Sequence, residues 1–253
     1  HLGGDSWRFN RKDKWSFRIK VKKGNALFGM RKFSIQHPMT RDYESEILFY
    51  KALERERLMV LRYFFVRVFI NGTDIGLMAL EEHPSKELLE FNGRRDGPIL
   101  KFDDSLFWQA YLSPYSRLSE IFMNYKVSQL MLIGANLKKK PESFQSHFVT
   151  AVGLLRGFIN EKISAAHVFD PDSTARYLAL AKVWGGEHSL VGGNGRFYYN
   201  PLIEKFEIIG HDASISASKP IFQHEDSMVK RMLQDKEIKS LYREALKKID
   251  NEF

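Results

Sequence analysis

Cysteine is missing from all 253 residues. That excludes disulfides and thiolate metal sites and leaves both reducing and oxidising compartments open. No apolar run approaches the roughly 18 residues a membrane-crossing helix needs, so no such span is expected. The 8 histidines have no HExxH or related spacing, which argues against a zinc enzyme. RRM, KH, zinc-finger and helix-turn-helix signatures are absent, as are internal repeats and low-complexity tracts. An initiator methionine is missing too. The chain starts at His1, from which a processed or excised piece is expected, with any targeting signal outside it.

What is present suffices for a core: the chain is 43% hydrophobic, enough for one large domain or two lobes. Its formal charge is +8, and the excess is uneven. Residues 1–60 hold 14 Lys or Arg against 7 Asp or Glu, a difference of +7. Such a segment suits the phosphates of a nucleotide or a nucleic acid, or it is a solvated face.

Alternation defines the first strands. In "KWSFRIKV", residues 14–21, Trp15, Phe17, Ile19 and Val21 face one way and Ser16, Arg18 and Lys20 the other, which predicts a half-buried strand with a basic outer face. Lys22, Lys23, Gly24 and Asn25 turn the chain, and Gly29 precedes a second strand, "MRKFSIQ". The tip of that hairpin is either a cradle of backbone N–H groups and lysines for phosphate, or an ordinary turn. Thr40 is the expected N-cap of a helix over 41–57, with Asp42 and Glu44 in its first turn and Tyr43, Ile47, Tyr50 and Leu53 at helical spacing. "RYFFVRVFI" and "IGLMALEEH" read as a hairpin joined through Asn71-Gly72-Thr73-Asp74. "GPILKF", residues 97–102, adds a strand to the same sheet.

Beyond residue 105 the chain turns helical. Helices are expected over 106–133 and 141–165, separated by "NLKKKPES", and from Asp170-Pro171-Asp172 to about Lys182, with Asp170 as N-cap and Pro171 at N1. A charged amphipathic helical region is expected over 225–250. The whole is an α+β chain with a β-rich lobe over 1–104 and a mainly helical lobe over 105–253.

A hairpin is embedded in the second part. Arg196–Tyr199 and Phe206–Ile209 read as strands, with turn chemistry at Asn200 and Pro201. Antiparallel partners have a constant sum of positions. If Asn200 faces Lys205, Asn194 faces the residue before Asp212, so an amide and a carboxylate meet at the open end. That pair suits a hard cation such as Mg²⁺ beside substrate phosphates. Alternatively, Gly192, Gly193 and Gly195 form a plain turn and Asp212 a cap.

The stretches "KWSFRIKV", "FINGTDIGLMALEEH", "DGPILKF", "FDPDSTARYLAL" and "NGRFYYNPLIEKFEIIGHD" together resemble the CotH kinase family, named for spore coat protein H. The resemblance implies a two-lobed protein-kinase-like fold and an atypical kinase. Members use ATP and Mg²⁺ or Mn²⁺ to phosphorylate Ser/Thr hydroxyls of proteins, coat proteins in spore formers, with coat, envelope or cell-surface settings. By resemblance Asp212 and Asn194 take the metal. A strand lysine pairs with a helix acid to hold the phosphates; Lys32 and Glu46 are the first candidates, Lys20 and Arg18 compete, and Lys101 is a further one. Glu81 and Glu82 stand where a lobe-connecting segment would meet the nucleotide. One departure is clear: the aspartate usual upstream of the asparagine is absent from Gly185-Gly186-Glu187-His188-Ser189, so His188 or Glu187 would have to receive the proton. The alternatives are a catalytically silent module that binds nucleotide or a partner, and a basic, aromatic-rich module for nucleic acid or polysaccharide.

Overall fold

In a computed structural model, the structure describes residues 10–252 apart from 12–13, 23, 42, 115–123, 192, 214–226 and 253. The expectations for Lys23, Asp42 and Gly192, and for residues 115–123 and 225–226 of the expected helices, fall outside the described residues. The chain is α+β, and every strand pair is antiparallel.

The first sheet holds β1 (Phe17–Lys20), β2 (Lys32–Gln36), β3 (Tyr63–Ile70) and β4 (Thr73–Glu82), in the order β1-β2-β4-β3. Asn71 and Gly72 both have positive φ, which gives the β3–β4 connection the twist of a tight two-residue hairpin. One face of this sheet packs Met30, Phe33 and Leu80 with Ile19, Val21 and Ile35. Phe17 and Trp15 stay exposed at its start. The opposite face carries Arg18 and Ser34, then Lys20 and Lys32, as cross-strand partners. It was expected to face solvent; Arg18, Lys32 and Ser34 instead line a cleft against the rest of the molecule.

The helix after β2 starts later than its propensities imply. Pro38–Arg41 is a 3-10 turn in which the Thr40 hydroxyl donates to the His37 carbonyl rather than capping a helix. Tyr43 then takes positive φ, and helix α1 spans Ser45–Arg55. Its buried stripe is Glu46, Phe49, Tyr50 and Leu53, so an acid sits on the apolar face. The short α2 (Lys86–Phe91) follows the first sheet.

Two elements depart from expectation. Strand β5 (Ile99–Phe102) does not join the first sheet. It lies between β6 (Leu130–Ile133) and β7 (Arg196–Asn200) in a second sheet of order β8-β7-β5-β6, where β8 is Lys205–Ile208. β6 lies where a helix was expected, because the apolar run "LMLI" is too short for its period to tell helix from strand. The helices of this half are α3 (Ser105–Tyr111), which buries no residue, α4 (Glu142–Ile159), α5 (Ala165–Val168), α6 (Pro171–Trp184), α7 (Met228–Met232) and α8 (Lys236–Glu252). Asp170 accepts from the Ser173 N–H at 3.0 Å, capping α6 as its Asp-Pro start predicts. Among the described residues no helix is long and apolar enough to cross a membrane.

One core runs through both sheets. Phe49 and Leu53 of α1 share it with Tyr177, Phe197, Phe206 and Ile209. Gly186, just past α6, lets the backbone approach α1: a Cβ there would sit 2.3 Å from the buried Phe49 ring. Gly186→Ala is therefore expected to cost about 1–3 kcal/mol as overpacking. For a chain of this size that lowers the melting temperature by roughly 5 °C, measurable by calorimetry.

Candidate functional site

The turn-strand geometry around the second hairpin sets the site. β8 pairs with β7 from Lys205↔Asn200 to Ile208↔Phe197, and Ile209 N–H continues the ladder to Arg196 O. Continuing the register brings Asn194 and Asp212 together: Asn194 Nδ2 donates to Asp212 Oδ2 at 3.0 Å and to the His188 carbonyl at 3.2 Å. His188 Nδ1 stands 3.2 Å from the same carboxylate oxygen. Beneath them the wholly buried His211 ring contacts the Asn194 and Ile209 carbonyls at 2.9 and 3.0 Å, fixing the loop to the strand end. Burial above all, then Arg196, pushes the His211 imidazole down to about 3, so it stays neutral.

Asp212 Oδ1 accepts from Arg41 Nη1. The same guanidinium places Nη2 at 3.4 Å from Glu81 Oε2 and Nε at 3.7 Å from Glu46 Oε2. Gln36 Nε2 adds a 2.7 Å hydrogen bond to Glu81, and the Tyr50 hydroxyl donates to Glu46. One arginine thus meets three carboxylates from three elements: β4, α1 and the segment after β8. Desolvation of Asp212 is opposed by Arg41, His188 and His211, and the balance holds its carboxyl well below the usual range.

The expected Lys32–Glu46 pair does not form. Lys32 points from the strand into the cleft beside Lys20, whereas Glu46 is buried and reached from the 3-10 turn by Arg41. Arg41 is the main residue the sequence reading missed. Its signal was a lone cation in "TRDYESE", but a continuous helix over 41–57 would have left it on the outer face; the break at Tyr43 turns it inward.

Above Arg41 and Glu81 opens a cleft of about 390 Å³ between the two sheets, within the size range of small-molecule sites. Arg18 and Lys32 line it from the first sheet, Lys101 and Arg196 from the second, and His83, Pro84 and Gly134 at the connection. Lys101 and Arg196 are direct cross-strand partners, as are Lys20 and Lys32. Like charges so placed repel, a cost an anion between the sheets would offset. Lys101 is paired with Asp104 at 2.7 Å. Among the described residues no carboxylate pairs with Arg18, Lys32 or Arg196. Burial, followed by Arg18, pushes His83 down to about 4, with Arg196 and Lys32 adding to the effect.

The remaining expected residues divide. Glu81 faces the cleft floor, while the Glu82 carboxylate is bound to Arg62 Nε at 2.8 Å. Glu187 is held by Lys182 at 3.5 Å rather than in the Asp212 cluster. Among the described residues the tip of the first hairpin adds nothing to the cleft lining; strand side chains do. Among the described residues no group of three His, Asp or Glu is arranged to hold a metal by itself.

An α+β chain with a cation-lined cleft between two antiparallel sheets, with Arg41 and Glu81 at its floor, is a candidate binder of phosphorylated small molecules. Comparison with protein families gives the particular class: residues 2–253 match the model described as "CotH kinase protein". The chain belongs to the CotH kinase family, which is kinase-like and implies ATP and a divalent metal. No curated protein matches it significantly.

Proposed function

We propose that the chain is a kinase-like phosphotransferase that binds ATP in the cleft between the sheets and passes its γ-phosphoryl group to a Ser or Thr hydroxyl of a protein. The supporting observation is the convergence on one cleft of Arg18, Lys32 and Arg196, from two separate sheets and without a carboxylate partner among the described residues, with Arg41 in the same lining reaching on to the Asp212–Asn194 pair. Arginine forks and lysine charges suit phosphate oxygens. The donor set also fits a hard cation. Asp212 and Asn194 would hold it, since Mg²⁺ needs only one or two carboxylates and takes its other oxygens from phosphates and water. Bound there, the ion neutralises charge on the phosphates during transfer. Arg41 keeps Glu81 and Asp212 in register at the floor. His188, half-exposed and beside Asp212, is positioned to orient or accept the proton of the attacking hydroxyl, a role left open by the absence of an aspartate in this loop. The segment Glu81–Pro84, which also lines the cleft, would adjoin the nucleoside end.

Thermal shift tests this reading. A ligand at a hundredfold excess over Kd stabilises by about 2.7 kcal/mol. ATP with Mn²⁺ should then raise the melting temperature by roughly 8 °C, and either alone much less. Asp212→Asn keeps the shape, removes the charge, and should abolish the metal-dependent part. No shift with ATP and Mn²⁺, or a full shift in Asp212→Asn, overturns the proposal. A shift without label transfer from γ-labelled ATP to acceptor protein identifies the silent nucleotide-binding module instead.

A further inference from the structure

A second basic pocket lies at the other end of the β7–β8 hairpin. It is lined by Arg57, Arg94, Arg95 and Arg176, by Asp170 and Glu207, and by the turn residues Asn200, Leu202 and Ile203, and encloses about 370 Å³. From Arg196 to Asn200, β7 spans four residue steps, about 13 Å at the usual strand rise. The pocket and the cleft therefore do not overlap.

Its charges are graded by commitment. Glu207 is consumed by Arg94, whose Nε and Nη2 reach its oxygens at 2.6–3.0 Å, and by Asn200 Nδ2 at 2.8 Å. Asp170 caps α6. Arg176 is tied to Asp172 at 2.7 Å and Glu56 at 3.3 Å. Arg57 and Arg95 remain. Among the described residues no acceptor meets either guanidinium, although Arg94 Nη2 holds the Arg57 carbonyl at 3.3 Å and Tyr198 holds the Arg95 carbonyl at 2.8 Å. Two free forks stand on backbone fixed by hydrogen bonds, across a concave surface.

The choice of cation is informative. Lysines outnumber arginines 22 to 17 in the chain, yet all four cations here are arginines. Planar forks match the paired oxygens of a phosphate monoester, where an ammonium offers a point charge. Leu202 and Ile203 are 63% and 46% exposed at the rim, giving apolar contact to residues flanking the anion. A single phosphate monoester fits a concave, open-mouthed pocket of this size, whereas a polyanion needs a longer track.

We infer that this pocket docks a phosphoserine- or phosphothreonine-bearing segment of a protein partner, with Arg57 and Arg95 as the phosphate clamp. The identity of the occupant deepens the kinase reading and rests on it: a phosphorylated segment is what such an enzyme makes, and holding one would retain the substrate for further transfer.

The test needs no catalysis. Two fluorescent peptides, identical except for phosphoserine in place of serine, are titrated against the chain without nucleotide or metal and followed by anisotropy. The phosphopeptide should bind at least tenfold tighter, inorganic phosphate should compete, and Arg57→Gln/Arg95→Gln should remove that preference. Both side chains are exposed, so the double variant should keep its circular dichroism and its ATP–Mn²⁺ thermal shift. Equal affinity for both peptides, or an unchanged preference in the double variant, overturns the inference. So does Arg57- and Arg95-dependent binding to phosphatidylserine vesicles with no phosphopeptide preference. If the preference holds while the ATP–Mn²⁺ shift is absent, the kinase reading fails and the docking pocket stands.

Discussion

Arg41→Ala should lower the melting temperature by on the order of 10 °C. Arg41 is only 17% exposed and faces Asp212, Glu81 and Glu46 at once. Removing a buried partner strands the charges it balanced, at a cost of about 3–5 kcal/mol. For a domain of this size each kcal/mol is worth roughly 2–4 °C. Arg41→Lys should recover only part, because the three donors of an ammonium sit on one nitrogen and cannot span the three carboxylates that Nε, Nη1 and Nη2 reach separately. Nucleotide binding should suffer as well, since Glu81 and Asp212 would repel each other across the cleft floor. Calorimetry on the two variants checks this directly. A drop of under about 2 °C for Arg41→Ala would show that the cluster is solvated and that Arg41 does not organise it.

The second large effect is a pH dependence set by Glu46. Burial above all, with Glu81 and Asp212 adding repulsion, pushes its carboxyl up to about 8 against the pull of Arg41 and the Tyr50 hydrogen bond. The unfolded chain releases this proton near the ordinary carboxylate value, whereas the folded chain keeps it. The contribution to stability is therefore fully present below about 4.5 and is lost as pH rises towards about 8. His211, pushed down to about 3, acts in the opposite direction and costs stability as pH falls below the ordinary histidine range. Comparing wild type with Glu46→Gln cancels the histidine contribution. The amide mimics the protonated acid, accepts from Tyr50, and cannot ionise. Glu46→Gln should match wild type near pH 5 and gain on it by several degrees in melting temperature by pH 8.5. A difference that stays constant across that range would mean Glu46 is ionised throughout, with Arg41 as its full counter-charge.

Much of this architecture is legible from local pattern. Alternation located β1, the Asn-Gly pair between two apolar runs located β3, β4 and their tight turn, and Asp170-Pro171 located the start of α6. The Asn194–Asp212 meeting followed from register arithmetic, because a hairpin's pairing is settled by its turn. The failures have a common physical cause. Nothing in the alternation of "GPILKF" names its partner strands, so β5 was placed with its sequence neighbours rather than with β7, nearly a hundred residues on. "LMLI" has no period to read over four residues. Arg41 escaped because a single left-handed residue, Tyr43, redirected the chain, and propensity does not report that choice. The cleft itself could only appear once two sheets presented their cationic faces to one another.

Helix α1 carries Glu46 yet is wedged into the far side of the molecule. Phe49 lies against Gly186, and Leu53 against Gly210, where an added Cβ would come within 2.2 Å. The arrangement leaves no slack for α1 to swing outward as an on–off lever without opening the core it shares with α6 and the second hairpin. The floor of the cleft is accordingly assembled before any ligand arrives, and arrival carries little ordering entropy. Control of such a site would have to act by occupancy or by covalent change at its rim, not by moving a helix. Amide exchange offers a direct view of this: α1 and α6 should open together, at the rate of global unfolding, with or without nucleotide.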